Sequence, residues 1–216
     1  MKIIINIVLF TLFSSLAFSA NDPYIEAMKE GMTKLDQAKN SEDYLAAANL
    51  FERISNVAAD KWQPAYYSAY ARSIAASMLY EPIRKDELLD QAEASLKKAA
   101  DLDHDKSEVS TLQGFIHMLR IGVDPGTRGQ QYSMMSGESL QKALILTPEN
   151  PRAMYIQAQL SFGTAQFFGS DTSEACATVD RAIAIFEKDE KEASSDPFAP
   201  SWGKSFALNF KKNCTN

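Results

Sequence analysis

The stretch LQKALILTPENPRAMYIQAQL, residues 140–160, decides how the chain is read. Leu140 and Ala143 are spaced as neighbours on one face of a helix. Pro148 stops that helix, and Pro151 opens another, PRAMYIQAQL. The pattern recurs. FERISNVAAD (51–60), LKKAADLDHD (96–105) and VDRAIAIFEKD (179–189) align with LQKALILTPEN (140–150), each with a bulky apolar residue followed three positions later by Ile54, Ala99, Ala182 or Ala143. Their starts lie 45, 44 and 39 residues apart. Self-similarity at such a period marks a stack of helical units, each too small to bury its own apolar face.

The junction from Thr147 to Arg152 resembles the boundary between tetratricopeptide repeats, where a second helix ends, a proline-containing turn follows and the next first helix begins. Such a repeat is a helix–turn–helix of about 34 residues, so the periods here exceed it by 11, 10 and 5. Packed faces cannot take up insertions, which places the excess inside each hairpin, between its two helices. The helices are then expected at 23–38 and 41–59, 63–80 and 86–103, 107–123 and 136–146, and 151–168 and 172–189. DPGTRGQQYS (124–133) becomes a polar loop at the tip of the third hairpin. In it Arg128 either donates to carbonyls at the end of the preceding helix or takes an external carboxylate or phosphate. After the last repeat, Trp202, Phe206 and Phe210 recur every four residues, the aromatic face of a helix capping the exposed end of the stack. The expected fold is all-α: a tetratricopeptide-like right-handed solenoid of about four hairpins over 20–196, capped by 197–216.

Residues 1–19 read differently. MKIIINIVLFTLFSSLAFSA has one lysine, an apolar run from Ile3 to Phe13 and then small residues, the layout of a secretory signal peptide cleaved after Ser19. The run is shorter than the ~20 residues that span a bilayer, and no cysteine beside the cleavage site offers a lipid anchor. A periplasmic or secreted protein is expected. The chain is 45% hydrophobic and 23% charged, an ordinary globular balance. Its net charge of −6, which loss of Lys2 makes more negative, argues against nucleic-acid binding. Cys176 and Cys214 favour a disulfide in an oxidising compartment, the alternative being two unpaired thiols.

DKWQPAYYSAYA (60–71), DPGTRGQQYS, NPRAMYIQAQ (150–159), FFGSDTSEA (167–175) and FAPSWGK (198–204) together resemble a family of exported tetratricopeptide-repeat proteins of Bacteroidota. The matching positions are Trp62 and Pro64; Asp124, Pro125, Arg128, Gly129 and Gln130; Asn150, Pro151 and Arg152; Phe168 and Gly169; and Pro200, Trp202 and Gly203. Ser170 stands where the family has a second glycine. The resemblance covers the mature chain and implies a helical-repeat fold and export, without a settled activity.

Chemistry motifs are sparse. His104 and His117 do not make a zinc set. DLDHDKSE (101–108) has the spaced aspartates Asp101, Asp103 and Asp105, but Lys106 and Leu112 stand where a calcium loop needs glycine and glutamate. No nucleophile elbow or phosphate loop is present, so no enzyme and no cofactor are expected. What remains is a surface. The repeat register turns Arg72, His117, Arg152, Tyr155, Gln159 and Phe162, with Ser68 and Ser110, toward the concave wall; Arg128 joins them from its loop. Amphipathic rings and cationic tips of this kind suit an extended peptide or an acidic group. The expected function is a non-catalytic envelope scaffold binding a protein or peptide. The alternative is a small-molecule carrier, with a pocket ringed by Tyr66, Tyr67, Tyr155 and Phe162.

Overall fold

A computed structural model describes residues 22–102, 106–190, 192, 194 and 196–214. The leader at 1–19, and Asp103, His104 and Asp105 of the calcium-like stretch, lie outside these residues. The described chain is all-helical: α1 (Pro23–Gln37), α2 (Ser41–Val57), α3 (Gln63–Ser77), α4 (Pro82–Leu102), α5 (Lys106–Ile121), α6 (Pro125–Leu146), α7 (Pro151–Phe168), α8 (Ser173–Asp189) and α9 (Lys204–Lys211), closed by a 3-10 turn at Lys212–Cys214. Among the described residues, no helix is long and apolar enough to cross a membrane.

Each helix packs on the next from α1 to α9, α8 and α9 doing so across a longer connection. The three- and four-residue turns within hairpins make those partners antiparallel neighbours. α3 also touches α5, and α5 touches α7, so the first helices form an inner row. The centre of that row is α3. Every residue from Pro64 to Ala76 is buried, and the small side chains of Ala65, Ala69, Ala71, Ala75 and Ala76 let α2 and α4 approach closely. A helix covered on all sides needs no polar face.

Two starts depart from the sequence expectation. DPGTRGQQYS is not a loop. It forms the first turns of α6, with Asp124 as N-cap accepting from Thr127 N at 3.2 Å and Pro125 in the first turn. Likewise α4 begins at Pro82, where Glu81 Oε2 accepts from Arg84 N at 2.9 Å. Proline in the first turn has no amide to leave unpaired and its φ is already helical. The extra residues of the long periods therefore lengthen α4 and α6 to 21 and 22 residues, against 17 in α2 and α8. The ends of both helices beyond the ordinary hairpin length meet in an ion cluster. Arg128 Nη1 donates to Asp86 Oδ2 at 2.7 Å rather than to backbone carbonyls. The buried Arg120 donates to Asp86, to Asp90 Oδ1 at 2.6 Å and to Glu93 Oε2 at 3.1 Å.

The turn after α7 needs one glycine, not two. Gly169 takes the left-handed C-cap at φ 66°, and Ser170 N then bonds back to Ala165 O at 2.8 Å.

Candidate functional site

One side of the inner row is partly covered by the chain itself. Gln63 Nε2 donates to Asp196 Oδ2 at 2.9 Å, Phe198 meets Tyr24 edge-on at 5.9 Å, and the Tyr67 hydroxyl donates to Ala199 O at 3.1 Å. Trp202 stacks on Tyr70 at 4.9 Å and lies 6.2 Å from Phe115. Beyond it, α9 sets Phe210 against Phe162 at 5.3 Å and Tyr155 at 6.2 Å. Cys214 is then disulfide-bonded to Cys176 of α8, with Cα atoms 5.7 Å apart. Residues 196–214 form a strap from α1 across α3 and α5 to α7 and α8.

This corrects the expected aromatic cap. Only Phe210 covers the last hairpin. Trp202 precedes α9 and points back into the inner row, while Phe206 is 40% exposed. The break is at Gly203, whose φ of 112° suits glycine, and where a Cβ would fall 2.7 Å from the Phe186 ring. The four-residue rhythm therefore spans a turn, not one helix face.

Behind the strap lies a buried polar network. Glu108 of α5 is 5% exposed. It accepts from Arg152 Nε and Nη2, both at 2.9 Å, from Asn150 Nδ2 at 2.8 Å and from the Tyr66 hydroxyl at 3.2 Å. Tyr66 in turn accepts from Trp202 Nε1 at 2.8 Å. Burial alone would depress the Arg152 guanidinium, but the facing Glu108 holds it above its ordinary value. Asn150 also caps α7, accepting from Arg152 N and Ala153 N at 3.0 and 3.1 Å.

Between the first hairpin and the strap opens a cleft of about 540 Å³, within the range of small-molecule sites. Met32 and Leu35 of α1, Tyr44 of α2, Tyr67 and Tyr70 of α3, and Trp202, Lys204, Phe206 and Leu208 of the strap line it. Phe206 and Leu208 keep much of their surface in solvent at its edge. Burial raises the phenols of Tyr44, Tyr67 and Tyr70 above their usual value, with Asp36 adding to the effect at Tyr44. Its rings are neutral, and Asp36, Glu190 and Lys204, with the hydroxyls of Ser201 and Ser205, add charged and polar groups to the wall. A second cleft of about 520 Å³ lies against α7 and α8, lined by hydroxyls and amides such as Ser133, Gln157 and Thr164, the apolar Leu160 and Phe168 and the charged Asp171, Glu174 and Arg181.

The residues singled out from sequence divide. Arg72 is buried, donating to Glu52 Oε2 at 2.5 Å, to Ser95 Oγ at 3.2 Å and to Ser68. His117 sits between Gln113 at 2.9 Å and Ser139 at 3.3 Å, with Glu93 3.8 Å away. Arg128 belongs to the Asp86 cluster and Arg152 to Glu108. Tyr155 and Phe162 meet Phe210 behind the strap, on the helix that also carries Gln159, whose Oε1 is buried with no hydrogen-bond partner among the described residues. Of the ring expected for a carrier, Tyr67 lines the cleft, whereas Tyr66 is buried behind it. Met32, Tyr44 and Trp202 escaped notice as site residues. Trp202 is legible in the sequence as part of the FAPSWGK match and of an apparent helical rhythm, and nothing in the spacing brings the strap to α1.

The chain is similar to the HusA haemophore from Porphyromonas gingivalis. The structures superpose with a TM-score of 0.78 at 33% sequence identity, over 88% of this chain and 92% of the other. No protein-family model and no curated sequence matches. At that identity and coverage the chain belongs to the HusA family.

Proposed function

We propose that this member of the HusA family is a non-catalytic carrier of a flat, largely apolar small molecule, haem or a related tetrapyrrole. The observation that carries the reading is the aromatic cleft between the first hairpin and the strap. Tyr44, Tyr67, Tyr70 and Trp202 supply ring faces of the kind that stack on a planar ligand, and the similar protein is itself a haemophore. The residues present fit such cargo by contact more than by coordination. Phenols held neutral by burial are poor ligands for iron, which takes tyrosine as phenolate; among the lining residues, Met32 brings a thioether of a type that haem iron accepts. Lys204 stands at the mouth as a cation, already paired with Glu190 at 2.5 Å.

Export through the leader at 1–19 and a tetratricopeptide-like solenoid belong to the same reading. An extended peptide partner on the concave face expected from the sequence would have to compete with residues 196–202, which already cover part of the inner row. The small-molecule reading therefore stands ahead of it.

The test is titration of the folded protein with haem and, separately, with metal-free protoporphyrin, followed by absorbance and tryptophan quenching. Saturable binding of both is expected, with affinities within about tenfold of each other, a difference of about 1.4 kcal/mol. Absence of saturable binding for both, with the fold intact, overturns the proposal.

A further inference from the structure

Resting on this carrier reading, we infer that Tyr66 and Glu108 are positioning residues: through a one-way chain of hydrogen bonds they hold the Trp202 ring in the cleft wall. The indole N–H only donates. Tyr66 Oη therefore accepts from Trp202, at 2.8 Å, and its own hydrogen is left to donate to Glu108 Oε2, at 3.2 Å. Glu108 is kept from turning away by three other donors, two from Arg152 and one from Asn150. The chain of bonds runs from α7 through α5 and α3 into the strap, and no bond in it can be reversed.

The rings are arranged to the same end. Tyr66 is fully buried and edge-on to Trp62 at 5.4 Å and to Tyr67 at 5.5 Å, so its hydroxyl has little freedom to swing. Trp202 lies flat on Tyr70, 23° from parallel, and both rings line the cleft. Stacking alone allows an indole to slide and rotate in its plane. The hydrogen bond at Nε1 fixes that remaining freedom. Gly203, at the left-handed φ, then carries the chain away from the wall toward α9. Neither Tyr66 nor Glu108 lines the cleft, so their effect on a ligand passes through Trp202.

The chain holds two tryptophans, so Trp62→Phe leaves Trp202 as the sole emitter. In that background Tyr66→Phe removes one hydroxyl and keeps the ring. The expected result, without any ligand, is red-shifted Trp202 emission and acrylamide quenching raised about twofold, with a folded protein whose melting falls by a few degrees. Protoporphyrin affinity should fall about tenfold, mainly through faster dissociation. Glu108→Gln should move emission the same way, and Tyr66→Phe is the arm that stands if that variant folds poorly. Unchanged emission and quenching in Tyr66→Phe overturns the inference. Altered emission with unchanged protoporphyrin affinity overturns the link to the ligand. If the parent binds no porphyrin, the carrier reading fails by itself, while altered emission still supports the hold on Trp202.

Discussion

Glu108 fills its acceptor sites with four donors from three other residues. Glu108→Ala leaves the Arg152 guanidinium buried without its counter-charge, at a cost of about 3–5 kcal/mol; urea denaturation is the check, and a loss below 1 kcal/mol would contradict the network. Arg128 is different, being a partly exposed partner of Asp86, which Arg120 also holds. Arg128→Ala is expected to leave the melting temperature close to that of the parent, and Arg120→Ala to lower it clearly. The tyrosines set an alkaline limit. Burial, with Asp196, pushes Tyr24 from 10.0 up to about 12, and Tyr66, Tyr67, Tyr70 and Tyr155 are raised as well. The unfolded chain therefore releases these protons first. The stability they contribute is complete below pH 10 and falls as pH rises toward 12. Denaturation midpoints at pH 8, 9.5 and 11 should decline at the highest value, and a flat profile would contradict the burial of these phenols. At this scale the sequence offers the arginines either to a ligand or to acids on neighbouring helices, without saying which acids. Arg72, Arg128 and Arg152 all face acids on other helices, and three-dimensional proximity of Glu52, Asp86 and Glu108 has no local signature.

Helix order and most boundaries are legible because proline and apolar periodicity act locally. Pro23, Pro64 and Pro151 each sit in the first turn of the helix they open. The same signal at Pro82 and Pro125 is masked, in the second case by Gly126 and Gly129, each costing about 1 kcal/mol in a helix interior. The Asp124 cap, tertiary packing of α6 on α5 and the Arg128–Asp86 pair outweigh that cost. The strap is less legible, since Gly203 turns an apparent helical rhythm into two directions. Its anchor is the disulfide. Closing a segment with a sequence separation of 38 stabilises by about 3–4 kcal/mol in the chain-entropy model. Reduction should lower the denaturation midpoint accordingly and raise hydrogen exchange first in α9. An unchanged midpoint after full reduction would contradict an anchoring role.

Across the whole molecule, the helical hairpins supply an inner row of first helices, and the chain's own C-terminal strap encloses a cleft against it. Removing residues from Pro200 onward strips Trp202 from Tyr66 and Tyr70, and Phe210 from Phe162, and deletes the disulfide. Such a truncation should lose porphyrin binding and expose enough apolar surface to aggregate, as light scattering would report. The measurement that tests the central claim most directly is hydrogen–deuterium exchange with and without haem. The carrier account expects ligand protection confined to Met32–Tyr44, Tyr67–Tyr70 and Ser201–Leu208, the walls of the 540 Å³ cleft. Protection instead along Gln157–Arg181, at the α7–α8 cleft, or no ligand-dependent protection in the folded protein, would contradict it.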